Sequence, residues 1–256
     1  MSYANSLKVL LCTCILILIT NSFIFSQSYR GSFRTSERVI ELEEQAENRF
    51  VYLFDEFQKA VLYVQNEAKE LRINYRLLRD EFLVLDENGT WKALSRELRF
   101  DSLVVDDKMT FVYHPQHGYF EKLSLRGRSI FYIKYQTTYS MQEIRQGAYG
   151  DAPSSAAVES VSILAGQNHV MSGSGELLLV ENVSGNPVRV NLHRFPTLVF
   201  LQNGAFLSLN TRRDLTRNFP NYDSDIRRFL RQERIAFDQR DDLRKLAAFI
   251  EGLKDY

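Results

Sequence analysis

The stretch "ELRINYRL", residues Glu70 to Leu77, carries the pattern that decides the fold. Apolar side chains at positions 71, 73, 75 and 77 alternate with polar ones at positions 72, 74 and 76. Successive side chains of an extended chain point to opposite faces, so this alternation is typical of a strand with one buried face. The stretch therefore predicts a half-buried β-strand.

Further strand signals follow at short spacing on both sides of this strand. Predicted strands span residues 59–65, 81–86, 102–107, 109–114, 119–125, 128–136 and 176–183. Asn203-Gly204, between "TLVFLQ" and "AFLSLN", adds a two-residue hairpin signal. Short strands joined by tight turns favour antiparallel pairing. We therefore expect an α+β fold, mainly an antiparallel β-sheet or incomplete barrel, with a β-rich domain over residues 50–210.

Two segments show little strand periodicity. Residues 27–49 are mostly polar and acidic, which indicates a solvated lead-in or a short helix. Residues 137–175 include "QGAYGDAPSSAA" and "SGSGE", which are made of residues that bend the chain and bury little surface. We expect a long mobile loop over residues 137–175.

Helical spacing begins near the C-terminus. Two apolar stripes consist of Ile226, Phe229, Leu230, Leu243, Leu246, Ala247 and Ile250. Asp223 and Ser224 are candidates to cap the first helix, and Asp238 with Asp241 has the spacing of a capping box before the second. Because these stripes need apolar cover, residues 211–256 are expected to form short helices docked on the sheet.

The N-terminus has the architecture of a secretory signal. In "KVLLCTCILILITNSFIFSQSYRG", Lys8 precedes a short apolar run, and Ser26 is a small residue at a suitable cleavage position. We expect residues 1–26 to be removed as a signal peptide, which would eliminate both cysteines and leave no membrane span. An uncleaved anchor remains the alternative, because the residues before the cut are not the ideal alanines.

Charge and motif content argue against several functional classes. Without Lys8, 31 basic residues face 32 acidic ones, and such a balance gives no electrostatic footprint for nucleic acid. "GAYG" lacks the spacing of phosphate-binding glycine loops, and "SGSG" lacks the pattern of a serine nucleophile. We therefore expect neither a nucleic-acid partner nor a cofactor.

Two groups of residues resemble metal or catalytic sites superficially. His114 and His117 in "HPQHG" flank a predicted turn, a context in which this spacing is common without a metal, so no metal site is expected. Two adjacent carboxylate pairs, Asp55-Glu56 and Asp80-Glu81, could supply acid groups for glycoside hydrolysis. Strand neighbours point to opposite faces, so one carboxylate of each pair at most could line a cleft, and no catalytic residue is assigned.

Partner binding has four candidate residues. Tyr149 is an aromatic residue within the predicted mobile loop, where a partner could bury it. Arg227, Arg228 and Arg231 form a basic helix face that could meet an acidic surface. The competing interpretations are a loop that folds back on its own sheet, and a solvated helix face paired internally with nearby acidic residues.

Several motifs together resemble a family of exported Bacteroidota proteins. They are "RINYRLLRDEFLVLD", "FDSLVVDD", "GYFEKL", "GAYG" and "FPNYDSDIRRFLRQERIAFDQRDDLRKLAAFIEGL". The similarity covers nearly all of the chain after about Tyr52, and the acidic segment from Ser36 to Glu47 departs from it. The resemblance implies export in a Gram-negative cell and a β-rich body with a helical end, and it brings no assigned activity or site residues.

These observations lead to two functional expectations. The first is a non-catalytic periplasmic module that binds a partner protein or envelope component. The second is a cofactor-independent hydrolase of envelope glycans, with Glu56 or Glu81 in a cleft. The sequence specifies neither the partner nor the oligomeric state.

Overall fold

The computed structural model describes residues 28–253 except 66, 96–97, 124–129, 145–178 and 183–185. The strands are β1 (Tyr29–Thr35), β2 (Val39–Glu41), β3 (Gln58–Val64), β4 (Glu67–Arg76), β5 (Glu81–Leu85), β6 (Trp91–Ala93), β7 (Ser102–Val105), β8 (Met109–His114), β9 (Gly118–Lys122), β10 (Ile130–Glu143), β11 (Leu179–Glu181), β12 (Val188–Gln202) and β13 (Ala205–Ser208). The helices are α1 (Leu42–Gln45), α2 (Asn48–Val51), α3 (Arg212–Asn218), α4 (Asp223–Gln232) and α5 (Arg240–Gly252), with a 3-10 turn at Pro220–Tyr222.

The body of the protein is one large antiparallel sheet that does not close into a barrel. Its 11 strands follow the order β1-β12-β10-β9-β8-β7-β3-β4-β5-β6, with β13 paired to β12. β2 and β11 form a separate two-stranded sheet. The expected α+β fold with a sheet-dominated body and short C-terminal helices is confirmed.

The inner face of the sheet carries two apolar clusters separated by a buried arginine. Even-numbered side chains of β12 share this face. Val190 belongs to the smaller cluster and Leu198 to the larger. Between them, Arg194 donates hydrogen bonds to the backbone carbonyls of Tyr52 and Leu53, at 3.0 and 2.9 Å. Its guanidinium thereby satisfies backbone oxygens at the end of α2, which a buried apolar side chain would leave without partners.

The C-terminal helices cover the larger cluster. Leu215 of α3, Ile226 of α4 and Leu246 of α5 are completely buried in the same core as the sheet residues. The predicted caps of the last two helices are wrong, since neither has a side-chain cap: α4 begins after Tyr222 and α5 after Gln239. The helices are therefore ordered mainly by burial of their apolar stripes, as expected for elements this short.

The structure builds residues 28–49 into the fold: the expected short helix is present as α1, but it follows the strands β1 and β2 and is not a solvated lead-in. Residues 29–35 form the edge strand β1 alongside β12, so the sheet begins before the predicted domain boundary at residue 50. Ile40, Leu42 and Phe50 are buried in the smaller cluster. Glu43 forms a 2.7 Å ion pair with Arg79, which fixes α1 against the sheet. The segment was predicted to be solvated because most of its residues are polar or acidic, although its few apolar residues anchor it to the core.

The predicted loop over residues 137–175 starts too early. β10 continues to Glu143 in register with β12, and Thr137 is completely buried, with its hydroxyl donating to the carbonyl of Phe50 at 2.8 Å. The remainder of the predicted loop, from residue 145 onward, lies outside the described residues, as does Tyr149. Within the described part of the chain, no helix has both the length and the apolar content needed to span a membrane.

Candidate functional site

An open depression lies on the solvent-facing side of the C-terminal helices. It is shallow, has a volume of about 470 Å³ and is lined by Arg212, Arg213, Thr216, Arg217 and Arg227. The first four residues belong to α3 and the last to α4. We call this feature the arginine depression, because arginine supplies every charge in its lining.

Local sequence fixes the α3 side of the arginine depression. The Thr211 hydroxyl accepts a hydrogen bond from the Asp214 backbone N–H at 3.1 Å, and the Asp214 carboxylate accepts one from the Thr211 backbone N–H at 3.0 Å. This reciprocal capping box starts the helix. Leu215 and Phe219 are buried against the core, so the arginines on the other side of α3 face solvent.

A single carboxylate connects the two helices behind the arginine depression. Asp223 accepts a 2.7 Å hydrogen bond from the Thr216 hydroxyl and a 2.9 Å hydrogen bond from Arg227 Nε. The hydrogen bond from Thr216 lowers the pKa of Asp223 below its ordinary value, and the hydrogen bond and positive charge of Arg227 act in the same direction. Asp223 therefore stays ionised and holds one lining residue from each helix.

Positive charge in the arginine depression is poorly balanced. Arg227 is neutralised by Asp223 at its rear. Arg212, Arg213 and Arg217 are exposed, and they form neither a hydrogen bond nor an ion pair with any residue that the structure describes. Four guanidinium groups against the carboxylates of Asp223 and of the α3 capping box leave a net charge of two positive units. The site is suited to binding an anionic group.

The predicted basic face contributes only one residue to the arginine depression. Arg227 lines it, whereas Arg228 is paired with Asp225 at 2.6 Å and Arg231 donates to the backbone carbonyl of Arg227 at 3.3 Å. The competing interpretation of an internally paired face therefore holds for Arg227 and Arg228, each of which pairs with an aspartate of the same helix.

Sequence reasoning missed the three arginines of α3. They lie together in "TRRDLTR", residues 211–217, where three arginines flank a single aspartate. This dense basic run is the signal that could have identified them. What the run does not show is that its aspartate, Asp214, is engaged in the capping box and does not pair with the arginines.

The histidines of the predicted turn belong to an aromatic cluster. The His114 and His117 rings lie with centroids 4.9 Å apart, and each packs against Phe206. Burial lowers the pKa of His114, and the neighbouring His117 adds to the effect. Over the described ranges, no three histidine, cysteine or acidic side chains are grouped so that they could share a metal ion.

The carboxylates considered for hydrolysis have different surroundings. Glu81 is largely buried and forms an ion pair with Arg76, so its charge is already compensated. Glu56 is exposed. Asp80 is paired with Lys134 at 2.7 Å. The lining of the arginine depression contains no carboxylate.

A second buried carboxylate, absent from the sequence predictions, connects the sheet to α5. Glu121 on β9 accepts a 2.6 Å hydrogen bond from the Tyr135 hydroxyl and a 2.9 Å hydrogen bond from Arg240 Nε. Burial opposes the charged form of Arg240, but its hydrogen bonds to Glu121 raise its pKa above the ordinary value. Burial, with the adjacent charge of Glu121, also raises the pKa of Tyr135. This closed network is a structural clamp.

Comparison with known proteins identifies no relative of this chain. No protein-family model, no curated protein and no solved structure matches the chain.

Proposed function

We propose that this chain is a non-catalytic periplasmic module that binds an acidic group of a partner protein or envelope component in the arginine depression. The observation that carries the proposal is the set of exposed arginines, Arg212, Arg213 and Arg217, which have no ion pair among the described residues. Arginine is well suited to this role, because its planar guanidinium presents several donors that match anionic oxygens in pairs.

The free site carries an electrostatic cost that a ligand would relieve. Arg213 and Arg217 are four residues apart on α3, where like charges repel across one helical turn. Asp225 and Asp242 neutralise neighbouring basic residues on α4 and α5 instead. An anion bound between the α3 arginines would supply the missing counter-charge.

The periplasmic part of the proposal rests on the N-terminal sequence. Residues 1–26 have the positive lead, apolar run and small residue at the cut that secretory signals require. The resemblance to exported Bacteroidota proteins supports the same compartment. The hydrolase remains an expectation from sequence, and no observation on the described residues favours it.

The experiment is expression of the tagged chain in a Bacteroidota host, followed by cell fractionation and capture of envelope components. We expect a periplasmic product that begins at or near Gln27. We also expect at least one acidic component that is captured by the natural chain and lost with the double variant R213Q/R217Q. The matched control is R228Q/R231Q, which changes the net charge equally on exposed arginines outside the depression.

Two results would contradict the proposal. A full-length product in the inner membrane would exclude the periplasmic role. An identical set of captured components for the natural chain and R213Q/R217Q would exclude the arginine depression as the binding site. Loss of capture only in the R228Q/R231Q control would instead transfer the site to the basic face predicted from sequence.

A further inference from the structure

We infer that the acidic group recognised by the arginine depression is a phosphomonoester, an inference that rests on the proposed function. The shared chemistry is a terminal phosphate group, whether it belongs to a soluble sugar phosphate or to a lipid headgroup. Three features of the site distinguish this group from a carboxylate: the net charge, the arrangement of the donors, and the size and openness of the depression.

The first feature is charge. The four lining arginines exceed the two nearby carboxylates, Asp223 and Asp214, by two positive charges. A carboxylate contributes one negative charge, whereas a phosphomonoester carries about 1.5 to 2 near neutral pH. A single phosphate therefore compensates the excess more completely, without requiring several acidic side chains to enter one small depression.

The second feature is the placement of the donors on two helices. Arg213 and Arg217 approach from successive turns of α3, and Arg227 approaches from α4, where Asp223 fixes its position. A carboxylate offers two oxygens in one plane, which suits a single guanidinium. Three terminal oxygens of a phosphate point in different directions and can accept from guanidinium groups on both helices.

The third feature is the size and openness of the site. The volume of about 470 Å³ is comparable with that of small-molecule sites, but the depression is open and its lining is charged, which suits a terminal group more than a fully buried ligand. Because the depression is open to solvent, it can hold a charged terminal group while the remainder of a larger molecule stays outside. A phosphorylated sugar or lipid headgroup fits this description.

The experiment compares matched ligands on the purified full chain by titration calorimetry. Glucose 6-phosphate and glucuronate present a phosphomonoester and a carboxylate on the same sugar, and glucose is the uncharged control. We expect saturable binding of glucose 6-phosphate that exceeds binding of glucuronate by about tenfold or more. We expect R213Q/R217Q to weaken it by about tenfold or more, as follows from the loss of a charge-assisted hydrogen bond, and R228Q/R231Q to leave it unchanged.

Two further readouts identify the phosphate and its source. The second ionisation of a phosphomonoester occurs near pH 6, so affinity should rise between about pH 5 and pH 7. Sedimentation with phosphatidylcholine vesicles that contain phosphatidic acid tests the lipid source, and phosphatidylglycerol vesicles provide a phosphodiester control. Binding of glucose 6-phosphate indicates a soluble source, and binding restricted to phosphatidic acid vesicles indicates a lipid. Either supports the inference.

The inference is overturned if glucuronate binds as tightly as glucose 6-phosphate, or if neither phosphomonoester probe binds. It is also overturned if R213Q/R217Q and R228Q/R231Q weaken binding equally, since that result indicates unspecific attraction. If envelope capture still depends on Arg213 and Arg217 in any of these cases, the proposed function stands and only the phosphate assignment fails. If capture is also insensitive to these arginines, both proposals fail.

Discussion

The C-terminal helices use arginine in opposite ways on their two faces. On the inner face, Arg240 is largely buried, and Glu121 accepts its hydrogen bonds within a network that includes Tyr135. On the outer face, Arg213 and Arg217 are exposed and form no ion pair with the described residues. Burial requires a partner for every charge, whereas exposure allows unbalanced charge to persist. Exposed charged residues without an ion pair among the described residues are therefore the candidates for binding a ligand.

The energetic reason for this difference is desolvation. Transfer of an ion into the protein interior costs several kcal/mol even after relaxation, so an unpaired buried Arg240 would strongly destabilise the fold. An exposed guanidinium keeps its hydration, and an exposed ion pair contributes about 0–1 kcal/mol. The three predictions that follow test this contrast, in order of decreasing effect.

Deletion of the C-terminal helices, which removes both of their faces, should have the largest effect on stability. We expect deletion of residues 211–256 to abolish cooperative folding and cause aggregation. Side chains such as Leu215, Ile226 and Leu246 each contribute about 1.5–3 kcal/mol when buried, whereas a typical domain has a total stability of only about 5–15 kcal/mol. Size-exclusion chromatography and thermal melting of the truncated chain provide the measurement. A soluble product with an unchanged cooperative melt would show that the helices are an independent element.

Disruption of the buried clamp should have the next largest effect. We expect Glu121→Ala to lower the free energy of unfolding by about 3–5 kcal/mol, because Arg240 would remain buried without its counter-charge. Urea denaturation gives the measurement. The matched control is Asp225→Ala, which breaks the exposed pair with Arg228 and should cost about 0–1 kcal/mol. Equal losses for the two variants would disprove the contrast between the faces.

Protonation of Asp223 should produce the smallest effect. Its folded pKa is depressed from the ordinary value of 3.8, first by the hydrogen bond from Thr216. Its contribution to stability is therefore present above pH 3.8 and is lost as pH falls through the lower folded pKa. We expect the natural chain to melt at a higher temperature than Asp223→Asn at pH 6, and this difference to shrink below about pH 4.

The control for this pH dependence is Thr216→Val, which removes the hydroxyl donor to Asp223. At about pH 6 this variant should show part of the decrease in melting temperature that is expected for Asp223→Asn. A difference in melting temperature between the natural chain and Asp223→Asn that stays constant from about pH 6 to pH 2 would contradict the assignment.

Local patterns predicted much of the sheet. Alternation identified β4, and short apolar runs identified β3 and β5. Asn203-Gly204 marked the hairpin between β12 and β13, where both residues adopt positive φ values of 50° and 78°. These elements can be predicted from the sequence because the residues that specify them are consecutive.

The edge strand β1 could not be predicted in the same way. Its sequence "YRGSFRT" is rich in polar residues, and it becomes a strand through pairing with β12, far away in the chain. A Cβ atom at Gly31 would lie 2.6 Å from the Phe50 ring, so glycine permits close packing against α2. Neither contact is visible in a local pattern.

The first half of β12 was not predicted because Pro196 interrupts the strand pattern. Pro196 lacks an amide donor, which usually indicates a strand end, and only residues from 197 onward were predicted. In the sheet, Pro196 follows the last position paired with β1 and precedes the first position paired with β13 at Val199. The missing N–H thus falls in a gap between two partners along one edge of β12, where its absence is tolerated.

The arginine depression was only partly predictable for a related reason. Arg227 was found because it lies on a helix with a clear apolar stripe. The contribution of Arg213 depends on how α3 meets α4 through Thr216 and Asp223. A linear pattern records which charges are present, whereas their partners are decided by the packing of separate elements.

The clamp between Glu121 and Arg240 also determines when the protein can complete its core. Glu121 lies far before Arg240 in the chain, and the inner face of the sheet around it is covered only when α3, α4 and α5 have docked. Until then the nascent chain exposes a broad apolar surface together with an uncompensated carboxylate. Such partly folded chains are prone to aggregate and are typical clients of chaperones. Docking of α5, and not the completion of any earlier strand, is therefore the step that completes the core.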